Sequence, residues 1–187
     1  MARERLEQEA LRLFAQQGYA GTSVRSIVEA AGVTKPALYY HFSSKAGLYR
    51  HLVEQHIEGW LGLVRGLFDG PGSTEERVRQ YVRLAVVGAQ EHPDVLRFMH
   101  QACARTEGAA PSGLDWQARE ARLLTELVSR GVASGELETN NPRESGMALM
   151  AMIQWRCFAS LHPEAPLSEE VALHIADIWL KGVQTCR

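Results

Sequence analysis

Between Thr22 and Phe42 the chain leaves little choice of local fold. Val24, Ile27, Val28 and Ala31 recur at helical spacing and make one apolar stripe on a short helix. Gly32 follows where a helix ends in a left-handed residue, a backbone that glycine adopts without steric cost. Thr34 stands at the next cap position, with Lys35 and Pro36 in the first turn of a second helix, where a missing N–H costs nothing. That helix turns Leu38 and Phe42 into a core and leaves Lys35, Tyr39, Tyr40 and His41 on its outer face. Two short helices about a tight turn, the second presenting a cation and two phenols, predict a helix-turn-helix suited to phosphate and base-edge contact.

The rest of the chain has the helical period throughout and no strand-like alternation, so the expected class is all-α with about nine helices. A first helix is expected over 3–17, stopping at Gly18. A fourth, capped by Ser43 or Ser44, carries Leu48, Leu52, Trp60, Leu63 and Leu67 to the breaker Asp69-Gly-Pro-Gly-Ser73. Further helices are expected over 74–91, from His92-Pro93-Asp94 through about Thr106, over 114–134, from Asn141-Pro142, and over 168–185. The segment 107–113 reads as a loop. The boundary between an N-terminal head, 1–47, and a helical body, 48–187, is expected inside the fourth helix near Gly47, without a flexible linker.

Charge supports that division. Residues 1–50 hold seven Lys/Arg against four Glu, a net +3, so the remainder of a chain of formal charge −2 carries −5. A basic head suits DNA, and the acidic body needs another task. Three cysteines, Cys103, Cys157 and Cys186, fit neither a disulfide framework nor a zinc site and agree with a reducing, cytoplasmic setting. No apolar run approaches the length of a membrane span, and the charged start Met-Ala-Arg-Glu-Arg lacks a signal peptide's apolar core.

Gly18-Tyr19, Thr22-Ser23, Ala30-Ala31-Gly32-Val33, Leu38-Tyr39-Tyr40-His41-Phe42 and Ser44-Lys45 together resemble the N-terminal domain of TetR-family transcriptional regulators, over about Arg3 to Leu52. One departure lies in the first helix, where the family has small or apolar residues and this chain has Glu7 and Glu9. The resemblance implies a three-helix DNA-binding domain followed by a helical ligand-binding and dimerisation domain. It also implies a homodimer through the last two helices, which agrees with their apolar surplus at Met147, Leu149, Met150, Met152, Ile153 and Trp155 and at Val171, Ile175, Ile178 and Trp179. A two-fold dimer would read two half-sites of a near-palindromic operator on double-stranded DNA.

The DNA-binding candidates are Thr22, Ser23, Arg25, Thr34, Lys35, Tyr39, Tyr40, His41 and Lys45. Lys45, at a helix start, is expected on a phosphate, as are the tyrosine hydroxyls. Thr22 or Ser23 caps the second helix. Thr34 and Lys35 are the base-reading candidates, and Arg25 has the guanidinium that can hold a guanine edge. In the body, Trp60, Phe98, Met99, His100, Cys103, Trp116, Trp155 and Phe158 are candidates to line an effector cavity, against the plainer reading that aromatics at helical spacing form core.

His100 and Cys103 lie three apart without other residues at metal-ligand spacing, so no metal site is expected. Nor does the chain show a Gly-rich phosphate loop, a nucleophile elbow or a catalytic acid pair, and neither enzyme activity nor a cofactor is expected. The functional expectation is a ligand-responsive repressor released from its operator by a small hydrophobic molecule. Two alternatives are a DNA-bound interaction protein without an effector and a redox sensor using Cys103 or Cys157.

Overall fold

Side-chain caps start the helices where the periodicity places them, in a computed structural model that describes residues 1–104 and 113–183. Among the described residues the elements are α1 (Ala2–Gly21), α2 (Val24–Ala31), α3 (Lys35–Phe42), α4 (Lys45–Phe68), α5 (Thr74–Glu91), α6 (Pro93–Ala104), α7 (Gly113–Ala133), α8 (Pro142–Ala159) and α9 (Glu169–Val183), with no strand. Ser23 Oγ accepts the Ser26 N–H at 3.0 Å, Ser73 Oγ that of Glu76 at 3.1 Å, and Asn141 Oδ1 that of Glu144 at 3.2 Å. Each bond satisfies a donor that the helix start leaves over. None of these helices is long and apolar enough to cross a membrane.

Two boundaries differ from expectation. The first helix does not stop at Gly18 but resumes after it and runs to Gly21, with Gly18 as a non-helical break at φ 71° and ψ 170°. α6 is described only to Ala104, and the expected continuation to Thr106 and the loop 107–113 fall largely outside the described residues.

The chain divides into two compact units. The first comprises residues 1–59 and 93–116, the second 60–92 and the residues from 117 on. The reason is aromatic packing. Phe98 of α6 is fully buried against Phe14 of α1 (ring centroids 6.2 Å apart) and Tyr49 of α4 (5.2 Å). Gln101 Nε2 adds a bond to the Ala15 carbonyl at 3.0 Å. The core of this unit is Leu6, Ala10, Phe14, Ile27, Leu38 and Leu48, the stripes that the sequence spacing marks.

In the second unit α5 packs against α8 and α9, burying Val78, Tyr81, Val82, Leu149, Ile175 and Trp179. Trp179 is not apolar filler alone. Its Nε1–H donates to the Ser145 carbonyl at 2.8 Å and ties α9 to the start of α8.

Candidate nucleic-acid interface and a buried polar site

The turn between α2 and α3 follows from Gly32, which closes α2 at φ 61° and ψ 39°. Its N–H reaches the Glu29 carbonyl at 3.3 Å, and the Val33 N–H reaches that of Val28 at 3.0 Å, so the helix end is satisfied locally. α3 then buries Leu38 and Phe42, which fixes the helix's rotation and sends Lys35, Tyr39, Tyr40 and His41 outward. Tyr39 is 49% and Tyr40 85% exposed. Tyr40 and His41 rings stand edge to face at 5.0 Å. Both tyrosine rings are open to solvent on the outer face of the helix.

Seven of the nine DNA candidates are exposed: Ser23, Arg25, Thr34, Lys35, Tyr39, Tyr40 and His41. Ser23, not Thr22, caps α2. Thr34 is the N-cap of α3 by position but makes no side-chain cap bond, so its hydroxyl is not engaged there. Arg25 lies along α2 in an exposed pair with Glu29 at 2.7 Å.

The other two are turned inward. Thr22 is 1% exposed, and its hydroxyl donates to the Gly18 carbonyl at 2.8 Å, closing the corner between α1 and α2. Lys45 Nζ donates to the carbonyls of Tyr19 at 2.9 Å and Thr22 at 2.8 Å, and lies 4.2 Å from the centre of the Tyr19 ring. The Thr22 hydroxyl and two donors of the Lys45 ammonium thus bond within the motif, at the corner between its helices.

The effector candidates divide between the two units. Phe98, Met99, His100, Cys103 and Trp116 belong to the first unit, where Phe98 is core, His100 is exposed, and Trp116 Nε1–H donates to Cys103 Sγ at 3.3 Å. Trp60, Trp155 and Phe158 belong to the second, and Trp155 is 70% exposed. Among the described residues no three His, Cys, Asp or Glu side chains are gathered for a metal ion.

What the second unit does contain is a buried carboxylate. Glu120 of α7, 3% exposed, takes two bonds on Oε1, from Trp60 Nε1–H at 2.7 Å and from Tyr81 O–H at 2.8 Å. Burial pushes its carboxyl above the usual range, while the two donors pull the other way. Tyr81 is held well above its ordinary value by burial and by the negative charge beside it. Burial raises the nearby Cys157 thiol to about 11. Neither Glu120 nor Tyr81 was a sequence candidate. Their only signal is a carboxylate on the apolar side of α7, three residues before Leu123, and it is weak without a partner in view.

Residues 8–52 match the model of the "Bacterial regulatory proteins, tetR family" N-terminal domain, the segment that contains the motif just described. That segment is a TetR-family N-terminal domain. Along 149 residues it is 28% identical to the HTH-type transcriptional regulator RutR of Escherichia coli K12, covering 78% of this chain and 68% of that protein. It is 25% identical over 185 residues to the HTH-type transcriptional repressor KstR2 of Mycolicibacterium smegmatis, covering 97% and 90%. The fold is that of a transcriptional regulator from Saccharomonospora viridis solved in complex with choline, at a TM-score of 0.85 and 19% identity over 99% of this chain and 98% of that one.

Within the TetR family frame the carboxylates of α1 acquire a reason. Glu7 Oε1 accepts from Arg3 Nε at 2.9 Å and lies 2.8 Å from His51 Nε2, while Glu9 is bonded by Arg12 at 2.7 Å. His51 and Arg3 both lie by the Phe42 ring, at 5.3 and 5.7 Å. The departure from the family's apolar pattern is thus a polar clasp between α1 and α4 at the end of the recognition helix.

Proposed function

We propose that this chain is a TetR-family, ligand-responsive repressor that binds a near-palindromic operator as a homodimer. The observation that carries the reading is the outer face of α3, where Lys35, Tyr39, Tyr40 and His41 stand exposed on a helix whose rotation is set by buried Leu38 and Phe42. Lys35 and Thr34 read base edges, the tyrosine hydroxyls and Ser23 position the backbone, and Lys45 and Thr22 hold the motif rigid.

Exposed apolar side chains on the last two helices support the dimer: Trp155 of α8 is 70%, Leu173 of α9 50% and Ile178 of α9 49% exposed. Two copies joined across these helices bury that surface and present two recognition helices to one operator. An effector acts through α4, whose residues are shared between the two units. A ligand and DNA that favour different states weaken each other by the same factor. The names of KstR2, a repressor, and of the S. viridis regulator bound to choline favour repression and a small-molecule effector. Against a redox sensor stand Cys103 and Cys157, both raised by burial, whereas a reactive thiol is lowered.

The test is salt-titrated fluorescence anisotropy with the DNA upstream of the protein's own gene. Sequence-selective binding by a dimer, with preference altered by Lys35→Ala, is the expected result. Equal, weak binding to every duplex tried, across a wider set of genomic fragments, would sink the repressor reading.

A further inference from the structure

Of the seven Lys and Arg in residues 1–50, most are engaged within the fold. Arg3, Arg12 and Arg25 are each bonded to a glutamate of their own helix, at 2.9, 2.7 and 2.7 Å. Lys45 donates to two carbonyls, and Arg50 also has a partner. Two cations remain, Arg5 and Lys35, both exposed and neither in a side-chain hydrogen bond or ion pair among the described residues. Lys35 belongs to the base-reading face already described. Arg5 lies in the first turns of α1, distant in sequence from the helix-turn-helix, and its residue type alone gives no reason to single it out.

The fold brings it to the motif. A Cβ built on Gly32, the residue that ends α2, would lie 3.6 Å from Arg5 Nη1, so the guanidinium stands against the turn between α2 and α3. Lys35 is three residues further on, at most about 11 Å of chain away. Gly32, Thr34, Lys35 and Pro36 are all exposed, so the surface from the guanidinium to the start of α3 is open to solvent. Arg3 stands two residues from Arg5, which at about 3.6 residues per turn puts it on the other side of α1. There it meets Glu7 and His51. A cation beside a helix C-terminus can also serve that helix end. Here the end is already closed, because the Val28 and Glu29 carbonyls accept from Val33 and Gly32.

We propose that Arg5 is a phosphate-binding residue of the DNA interface. Its guanidinium takes the phosphate oxygens of one strand beside the turn, while Lys35 reaches base edges from the same end of α3. The planar fork of arginine suits a phosphate, and such a contact fixes the register of the recognition helix without reading sequence. The inference rests on the DNA-binding reading above and adds a contact from α1 to that interface.

The test is fluorescence anisotropy of the full chain across a salt series, on a mixed-sequence duplex of about 30 base pairs and on the DNA upstream of the protein's own gene. Arg5→Ala lowers the slope of log affinity against log salt by about 0.9 for each protomer bound, on both duplexes. Affinity falls about fivefold or more, and base preference is kept. Arg5→Lys restores the slope, because the charge releases the counterion whatever its shape. Arg83→Ala, which removes a charge from the second unit, leaves the slope at the native value. An Arg5→Ala slope equal to the native one overturns the proposal, and a lowered Tm with that slope assigns the arginine to the end of α2 instead. A changed base preference overturns it too, by moving Arg5 from phosphate to a base edge. A native protein without salt-dependent binding to either duplex removes the DNA-binding reading as well, whereas native binding with a slope that Arg5→Ala does not move removes this inference alone.

Discussion

The ammonium of Lys45 stands 2.8 Å from the carbonyl oxygen of Thr22, at the corner where the first helix passes into the helix-turn-helix. A second carbonyl, that of Tyr19, lies at 2.9 Å. Both oxygens belong to the C-terminal end of α1, where a cation is favoured and carbonyls lack helical partners. Lys45→Ala is therefore expected to cost about 1–3 kcal/mol, a value typical of bonds from a charged donor. Urea titration measures it. DNA binding should weaken for every sequence while the salt slope stays unchanged; a slope lower by about one would instead return Lys45 to the phosphate.

Gly47 shows how closely α3 and α4 approach. A Cβ there would sit 2.1 Å from the Phe42 carbonyl oxygen, an atom of the backbone that cannot swing aside. Gly47→Ala should open the α3–α4 corner, with a loss of about 3 kcal/mol or more and of operator binding. Gly62, in the same helix, has nothing within 4 Å of its added Cβ. Gly62→Ala should stabilise the protein by about 0.5–1 kcal/mol through helix propensity. Thermal melts of the two variants should move in opposite directions.

Arg25 is held along α2 by Glu29 at 2.7 Å, with both side chains in solvent. Such a pair adds little to folding, yet it occupies the guanidinium and places a negative charge on the proposed DNA face. Glu29→Gln is expected to tighten operator binding about threefold or more without moving Tm. Unchanged affinity at low salt would show that Arg25 does not face the DNA.

Glu120 predicts a dependence on pH. Its carboxyl is raised above 4.5 in the folded protein by burial, so the folded chain holds this proton more tightly than the unfolded one. The resulting stabilisation is complete below pH 4.5 and is lost as pH rises from there through the raised value. Glu120→Gln has no such loss. Relative to the native protein, it should gain stability over that same window and be at least as stable at neutral pH. Denaturant midpoints across a pH series check it; parallel curves for the two proteins would contradict it.

Trp155 tests the dimer without disturbing the core, because it is 70% exposed. Trp155→Glu should shift sedimentation toward the monomer with unchanged helical circular dichroism, and weaken operator binding steeply. A native protein that sediments as a monomer at every concentration would remove the two-fold operator from the proposal.

The sequence alone carried the helices and the motif, because both depend on short-range chemistry. Stripes such as Val24, Ile27, Val28 and Ala31 and the Gly32 stop act over a turn or two of chain, and each lies where the spacing places it. The outward face of α3 was legible for the same reason, since two buried residues set a short helix's rotation. What the sequence did not carry was any contact across distant positions. Lys45 reads as a free cation until the carbonyls of Tyr19 and Thr22 are placed beside it. Phe98 reads as a cavity residue until α6 is packed on α1. Glu120 reads as one more helical carboxylate until Trp60 and Tyr81 enclose it from two other helices. Local periodicity decides which residues turn inward, but only the tertiary packing decides what they meet there, because the partners are separated by tens of residues and no pattern in one segment records the other.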